Sequence, residues 1–159
     1  MTLVLGIDPG TATTGYGLVR DLPDGSIQAV EFGTILTPAG QPAPQRLALL
    51  YQRLREILLL HRPEGCAVEK LFFQRNVSTA LAVGQARGVV LLAIAQSGLE
   101  VAEYSPNEVK QAISGYGSAD KKQMQEMVRV LLDLDDIPRP DDAADALAVA
   151  ITHLHTQRY

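Results

Sequence analysis

An α/β fold is predicted: a mixed sheet with an antiparallel hairpin at one side and parallel strands beyond it, flanked by helices. Three observations carry the prediction. Three β-rich segments follow one another at the N-terminus, separated by turn formers, as neighbouring antiparallel strands are. From residue 45 onward helical and extended segments alternate, and each return from helix to strand is the crossover that parallel strands need. Finally, 159 residues with 47% hydrophobic and 20% charged side chains and a mean hydropathy of +0.06 can bury a sizeable core. No internal repeat, low-complexity tract or linker interrupts the sequence, so residues 1–159 are expected to form a single domain.

Residues 2–7 are an apolar run stopped at Asp8-Pro9-Gly10, where proline and glycine force the backbone out of extended geometry; this reads as a buried strand with Asp8 at its end. Residues 14–22 and 26–36 are the next two strands, joined through the turn former Pro23-Asp24-Gly25. After the proline-rich break at 37–44, residues 45–61 place Leu47, Leu50, Leu54, Ile57 and Leu58 close to helical period, an amphipathic helix. Residues 66–73 are apolar again apart from Glu69 and Lys70 and predict a strand. Residues 77–96, rich in Ala, Leu and Val with Gly84 and Gly88 four apart, predict a largely buried helix.

A short strand is expected at 100–104. Ser105-Pro106 opens a short helix through Ser114, and GYGS at 115–118 is a flexible link. A helix follows over 120–132, with Ser118 or Asp120 as its N-cap. Beyond the acidic, proline-broken stretch at 133–140, residues 141–155 form the last helix, headed by carboxylates and alanine-rich behind them.

Fourteen Lys+Arg against eighteen Asp+Glu, a net charge of -4 and a pI near 5.3, argue against indiscriminate binding to polyanions. The charge is uneven, however. Six basic residues face four acids between positions 70 and 122, and two face seven between 123 and 145. That suits a phosphate-binding rim around a cation-binding centre, and equally a solvated surface of uneven charge. The lone Cys66 closes no intramolecular disulfide, and the first residues show no signal-peptide pattern. No apolar stretch reaches the roughly 18 residues of a membrane span, so a cytoplasmic protein acting away from membranes is expected.

Five carboxylates stand out. On a helix beginning at 141, Asp142 and Asp145 share a face while Asp141 points aside or caps the end. They are either ordinary helix-start acids, favoured by the helix dipole, or half of a metal site. Asp8 and Glu69 each fall in or at the end of an apolar strand, where an ionised carboxylate is costly unless paired or bound to a cation. An Asx-turn would account for Asp8 and an ion pair with Lys70 for Glu69. If all four met at the sheet edge, repulsion would raise some of their pKa values and Mg²⁺ or Mn²⁺ would relieve it; hard oxygen donors without a Cys or His cluster favour those ions over zinc. Four carboxylates around two cations about 3.5–4 Å apart suit phosphodiester hydrolysis.

Five segments in register, GIDPGTATTGYG at 6–17, VEKLFFQRN at 68–76, LAVGQARGV at 81–89, VKQAISGYGS at 109–118 with Asp120-Lys121, and DAADALAVAI at 142–151, closely resemble the bacterial RuvC family of crossover (Holliday) junction endodeoxyribonucleases. The resemblance implies a ribonuclease-H-like fold, a homodimer working with the RuvA and RuvB branch-migration complex, and Mg²⁺-dependent paired nicking of opposed strands of a four-way DNA junction. Two ions per site are implied, with Mn²⁺ able to substitute. By position, the family's acidic tetrad falls on Asp8, Glu69, Asp142 and Asp145, and its DNA-contacting lysines on Lys110 and Lys121, with Lys122 an extra charge beside them. Phe72 falls on the family's aromatic at the junction surface, where stacking tolerates any base; Phe73 is expected to close the core. The helix at 81–95 is the candidate dimer-facing element. His153 and His155, two apart, share no face, and His153 lies about two turns past Asp145, so both are expected in surface or structural roles.

Two other readings have a basis. GIDPGT also resembles the phosphate loop of actin-like and sugar-kinase ATPases, which share the core fold but need two lobes where this sequence has length for one. A junction-binding module that does not cut would have no use for clustered carboxylates facing phosphates.

Overall fold

A computed structural model describes residues 2–10, 12–70 and 77–157. Its centre is a five-stranded sheet in the order β3-β2-β1-β4-β5, formed by β1 (Leu3–Asp8), β2 (Thr13–Asp21), β3 (Ile27–Leu36), β4 (Gly65–Glu69) and β5 (Val101–Tyr104). β1, β2 and β3 run antiparallel, with a register shift at Leu18/Val19, and β4 and β5 continue the sheet in parallel. This is the predicted mixed sheet. Gly25, at φ 90°, makes the hairpin turn that Pro23-Asp24-Gly25 announced.

The period-2 alternation of the strands separates two cores. Leu3, Leu5 and Ile7 of β1 and Cys66 and Val68 of β4 face α1 (Ala43–His61) and α2 (Val77–Gln96). Val4 and Ala67, their alternates, face α5 (Asp141–Thr156), which α3 (Pro106–Ser114) and α4 (Lys121–Leu131) help to cover. Asp8 and Glu69 continue this second series and therefore point to the α5 side.

Three expectations need correction. The strand over 66–73 ends at Glu69, because the ladder with β5 stops at the Glu69/Tyr104 pair; Phe72 and Phe73 lie outside the described residues. The helix at 77–96 forms with those bounds but is not largely buried: only Ala86, Val90, Ala93 and Ile94 are, while Val77, Leu81 and Leu92 are exposed, since α1 and the sheet cover a single face. By length and hydropathy α2 also meets the criteria for a bilayer span that no segment was expected to meet. It nevertheless carries Arg87 at its middle, ion-paired with Glu103 of β5.

Candidate active site

β1 and β4 are adjacent and parallel, with Ile7 opposite Val68, so the next residues, Asp8 and Glu69, end their strands side by side. The third and fourth carboxylates arrive on α5. That helix lies almost on the sheet backbone, and glycines let it do so. A Cβ on Gly15 would come within 1.9 Å of the Asp142 carbonyl oxygen, and one on Gly6 within 2.1 Å of the Ala146 carbonyl oxygen. Ala143, Ala146 and Ala150 keep the helix side equally thin. The sequence carries a signal for this, since glycine inside a strand often marks close approach of another backbone, and Gly6, Gly15 and Gly17 fall in the strands expected at 2–7 and 14–22.

The first turn of α5 is thereby delivered to the end of β1. One carboxylate oxygen from each of Asp8, Asp142 and Asp145 lies within 4.8 Å of the others. Crowding out of water raises the pKa of Asp8 and of Asp145. Burial first, then Asp145, Glu69 and Asp142, push Asp8 up to about 8 against a partial offset from Lys121. Asp8 thus keeps its proton at neutral pH and donates a hydrogen bond to Asp145. Asp145 is itself raised, mainly by burial, with Lys121 opposing; Glu69 is raised by burial and by Asp145, with Lys110 opposing. The cation acting on Glu69 is therefore Lys110 rather than the adjacent Lys70. A protein gains nothing in stability from such a group, whereas hard oxygen donors in this arrangement fit a divalent cation.

Two lysines border the carboxylates across a cleft of about 270 Å³ that Glu69, Lys110, Lys121 and Asp145 line above an apolar floor. Lys110 is carried by α3, whose start is fixed by the reciprocal Ser105/Glu108 capping box. Lys121 opens α4 behind the Asp120/Gln123 capping box. Two lysines in a first turn without an acid oppose the helix dipole, so helix stability does not account for them. Lys121 Nζ meets Asp141 Oδ2 at 3.0 Å, which places Asp141 outside the carboxylate trio as expected. Lys122 faces a different hollow, with Tyr116, Asp120 and Glu126.

His153 is structural: it is buried, and its Nδ1 lies 2.8 Å from the Tyr104 hydroxyl. Burial lowers its pKa and so favours the neutral ring. Neither this bond, which ties the far part of α5 to β5, nor the contacts of Arg87 were readable from spacing.

The family model of the crossover junction endodeoxyribonuclease RuvC matches residues 4–153. The RuvC of Chloroflexus aurantiacus is 60% identical over 152 residues, 96% of this chain and 92% of that protein, and that of Syntrophomonas wolfei is 55% identical over 155 residues, 98% and 90% of the two. Among solved structures, Thermus thermophilus RuvC in complex with a Holliday junction substrate superposes with a TM-score of 0.94 at 39% identity, covering 99% of this chain and 96% of that one. The yeast mitochondrial Holliday junction resolvase Ydc2 shares the fold at TM-score 0.67 and 16% identity.

Proposed function

The chain belongs to the RuvC family of crossover junction endodeoxyribonucleases, and from that premise we propose that it resolves four-way DNA junctions in recombination and repair by paired hydrolytic nicks in opposed strands. Membership makes it a phosphodiester-cleaving enzyme with the ribonuclease-H-like sheet described above. The observation that carries the mechanism is the meeting of Asp8, Asp142 and Asp145 within 4.8 Å, with the raised pKa of Glu69 marking a fourth acid in the same field.

Asp8, Glu69, Asp142 and Asp145 are the residues we assign to catalysis and to metal binding, with Mg²⁺ as the ion, two per site, and Mn²⁺ as a substitute. Bound there, the ions would activate water and stabilise the leaving oxygen. The protein's own part is to hold the acceptors. Asp8 gives up its proton on loading, so binding is expected to strengthen from pH 6 toward the value of about 8 at which that carboxyl titrates. Lys110 and Lys121 position backbone phosphates over the cleft, Lys122 adds charge beside them, and Phe72 stacks on an unpaired base at the opened crossover.

The single nuclease domain acts as a homodimer, with α2 facing the second copy. Leu81 and Leu92 are exposed on it, and a Cβ on Gly84 or Gly88 would meet nothing within 4 Å. Two sites related by a twofold axis match the near-twofold symmetry of an open junction. The RuvA and RuvB branch-migration complex is the expected partner, in the cytoplasm. The test is nicking of a labelled four-way junction beside a linear duplex of the same sequence, with Mg²⁺, Mn²⁺ or EDTA, by wild type and Asp8→Asn. Paired nicks in the junction alone, lost with EDTA and with the substitution while binding survives, are expected; a junction bound but never cut overturns the reading.

A further inference from the structure

Arg87 is a largely buried cation, its side chain 13% exposed, that the nicking reaction described above does not use. It reaches from α2, on the face of the sheet opposite the carboxylates. Its Nη1 donates to the Glu69 carbonyl oxygen at 2.7 Å and its Nη2 to Glu103 Oε1 at 2.6 Å. The acceptors belong to neighbouring strands: Glu69 ends β4, and Glu103 stands opposite Val68 on β5. Just beyond, the Lys70 amide donates to the Tyr104 carbonyl at 2.7 Å, the last link between the two strands among the described residues.

Strand ends are the parts of a sheet that open most easily. This one also carries a site carboxylate: Glu69 lines the cleft with Asp145 and Lys110, so a small shift of the end of β4 moves a group of the site. The planar guanidinium fork satisfies two acceptors in fixed geometry and grips the main chain from behind.

We infer that Arg87 is a positioning residue for nicking: through the Glu69 carbonyl and Glu103 it holds the end of β4 where Glu69 lines the cleft beside the group formed by Asp8, Asp142 and Asp145. The inference rests on the nuclease reading and deepens it. Arg87 touches no substrate, and its effect passes through Glu69. Glu103 orients the fork, so losing its charge is a milder version of losing Arg87. A lysine, with one donor head, cannot span both acceptors as the fork does and restores only part of the effect.

The test compares wild type with Arg87→Gln, Arg87→Lys and Glu103→Gln in the full chain. Four quantities are measured: Mn²⁺ binding to the DNA-free protein by electron paramagnetic resonance, amide exchange at residues 66–70, junction affinity in EDTA and single-turnover nicking at saturating junction. Arg87→Gln is expected to weaken Mn²⁺ binding about tenfold, as loss of a group supporting a ligand does. It should also speed exchange about tenfold at 66–70 relative to β1 and β2, and slow nicking while junction affinity stays within about twofold, since no phosphate contact is lost. Arg87→Lys and Glu103→Gln should fall between. Unchanged Mn²⁺ binding and exchange at 66–70, or exchange rising equally across the sheet with a matching drop in unfolding midpoint, would overturn the inference in favour of a merely structural arginine. If Arg87→Gln does not fold, Glu103→Gln decides, because its substituted group is half in solvent. A wild type that cuts no junction sinks the nuclease reading separately, while Mn²⁺ binding and exchange still report on the clamp.

Discussion

α5 and α2 are both apolar, alanine-rich helices, and the fold treats them in opposite ways. Eleven of the sixteen residues of α5 are buried, in a nearly unbroken run from Ala143 to Leu154, whereas four of the twenty in α2 are. α5 crosses the middle of the sheet, where Gly6, Gly15 and Gly17 remove the side chains that would hold it off, and α3 and α4 close over it. α2 leans on α1 and one margin of the sheet and leaves Val77, Leu81 and Leu92 in the open. Apolar composition thus shows that a helix wants a partner surface without showing where the surface is. α5 finds its surface within the chain; for α2 a second copy is proposed.

The largest effect should come from closing the gap under α5. Gly15→Ala puts a methyl group against the Asp142 main chain, and neither backbone can yield cheaply. A loss of about 3 kcal/mol, the upper end for overpacking, is expected in urea denaturation, together with loss of nicking. Gly84→Ala on α2 meets nothing, so a gain of up to about 1 kcal/mol from helix propensity is expected instead. Equal losses at the two glycines would dissolve the contrast.

Next is the strain that close seating of α5 places on Asp8. The unfolded Asp8 ionises near 3.8 and the folded one near 8, so between these values the folded state binds more protons than the unfolded state. The contribution of Asp8 to the stability of the metal-free protein is therefore fully present below the lower value and is lost as pH rises through the window. Asp8→Asn should flatten that slope and, at pH 7.5 in EDTA, stabilise by about 2 kcal/mol while abolishing nicking. Mg²⁺ should raise the unfolding midpoint of wild type more than that of Asp8→Asn. A wild type whose metal-free stability climbs from pH 5 to pH 8 would contradict the crowding.

Smaller still is the far anchor of α5. Tyr104→Phe leaves buried His153 without its partner and should cost about 1–2 kcal/mol, with nicking retained at temperatures where the protein stays folded. The smallest change in folding is expected on α2. Leu81→Glu, at an exposed position, should alter unfolding free energy by no more than about 0.5 kcal/mol, yet shift sedimentation from dimer to monomer and uncouple the paired nicks. A variant that stays dimeric would move the interface elsewhere.

Most of the architecture was legible because its signals are local. Pro23-Asp24-Gly25 turned where expected, Ser105 and Asp120 capped their helices, and 77–96 became α2 residue for residue. The acids also announced themselves, since Asp8 and Glu69 break apolar runs and Asp142 and Asp145 share a helix face. α2 is less buried than its composition predicts because composition says nothing of which neighbour covers a helix. The strand carrying Glu69 ends before Lys70 because its ladder with β5 stops at Tyr104, a limit that lies in the partner strand and not in the residues around Glu69.

By itself, then, the sequence determined the order of elements, their turns and caps, the family, and which carboxylates had no ordinary reason to be where they are. Those properties depend on residues a few positions apart. Only the tertiary structure decided that Asp8 and Glu69 end adjacent parallel strands on the same face, that three glycines admit α5 to that face, and that Arg87 reaches through to the Glu69 carbonyl. These depend on which surfaces meet, from 18 residues apart for Arg87 and Glu69 to more distant parts of the chain, where the strands pair with Ile7 opposite Val68 and a displacement by one residue would turn a carboxylate to the opposite face.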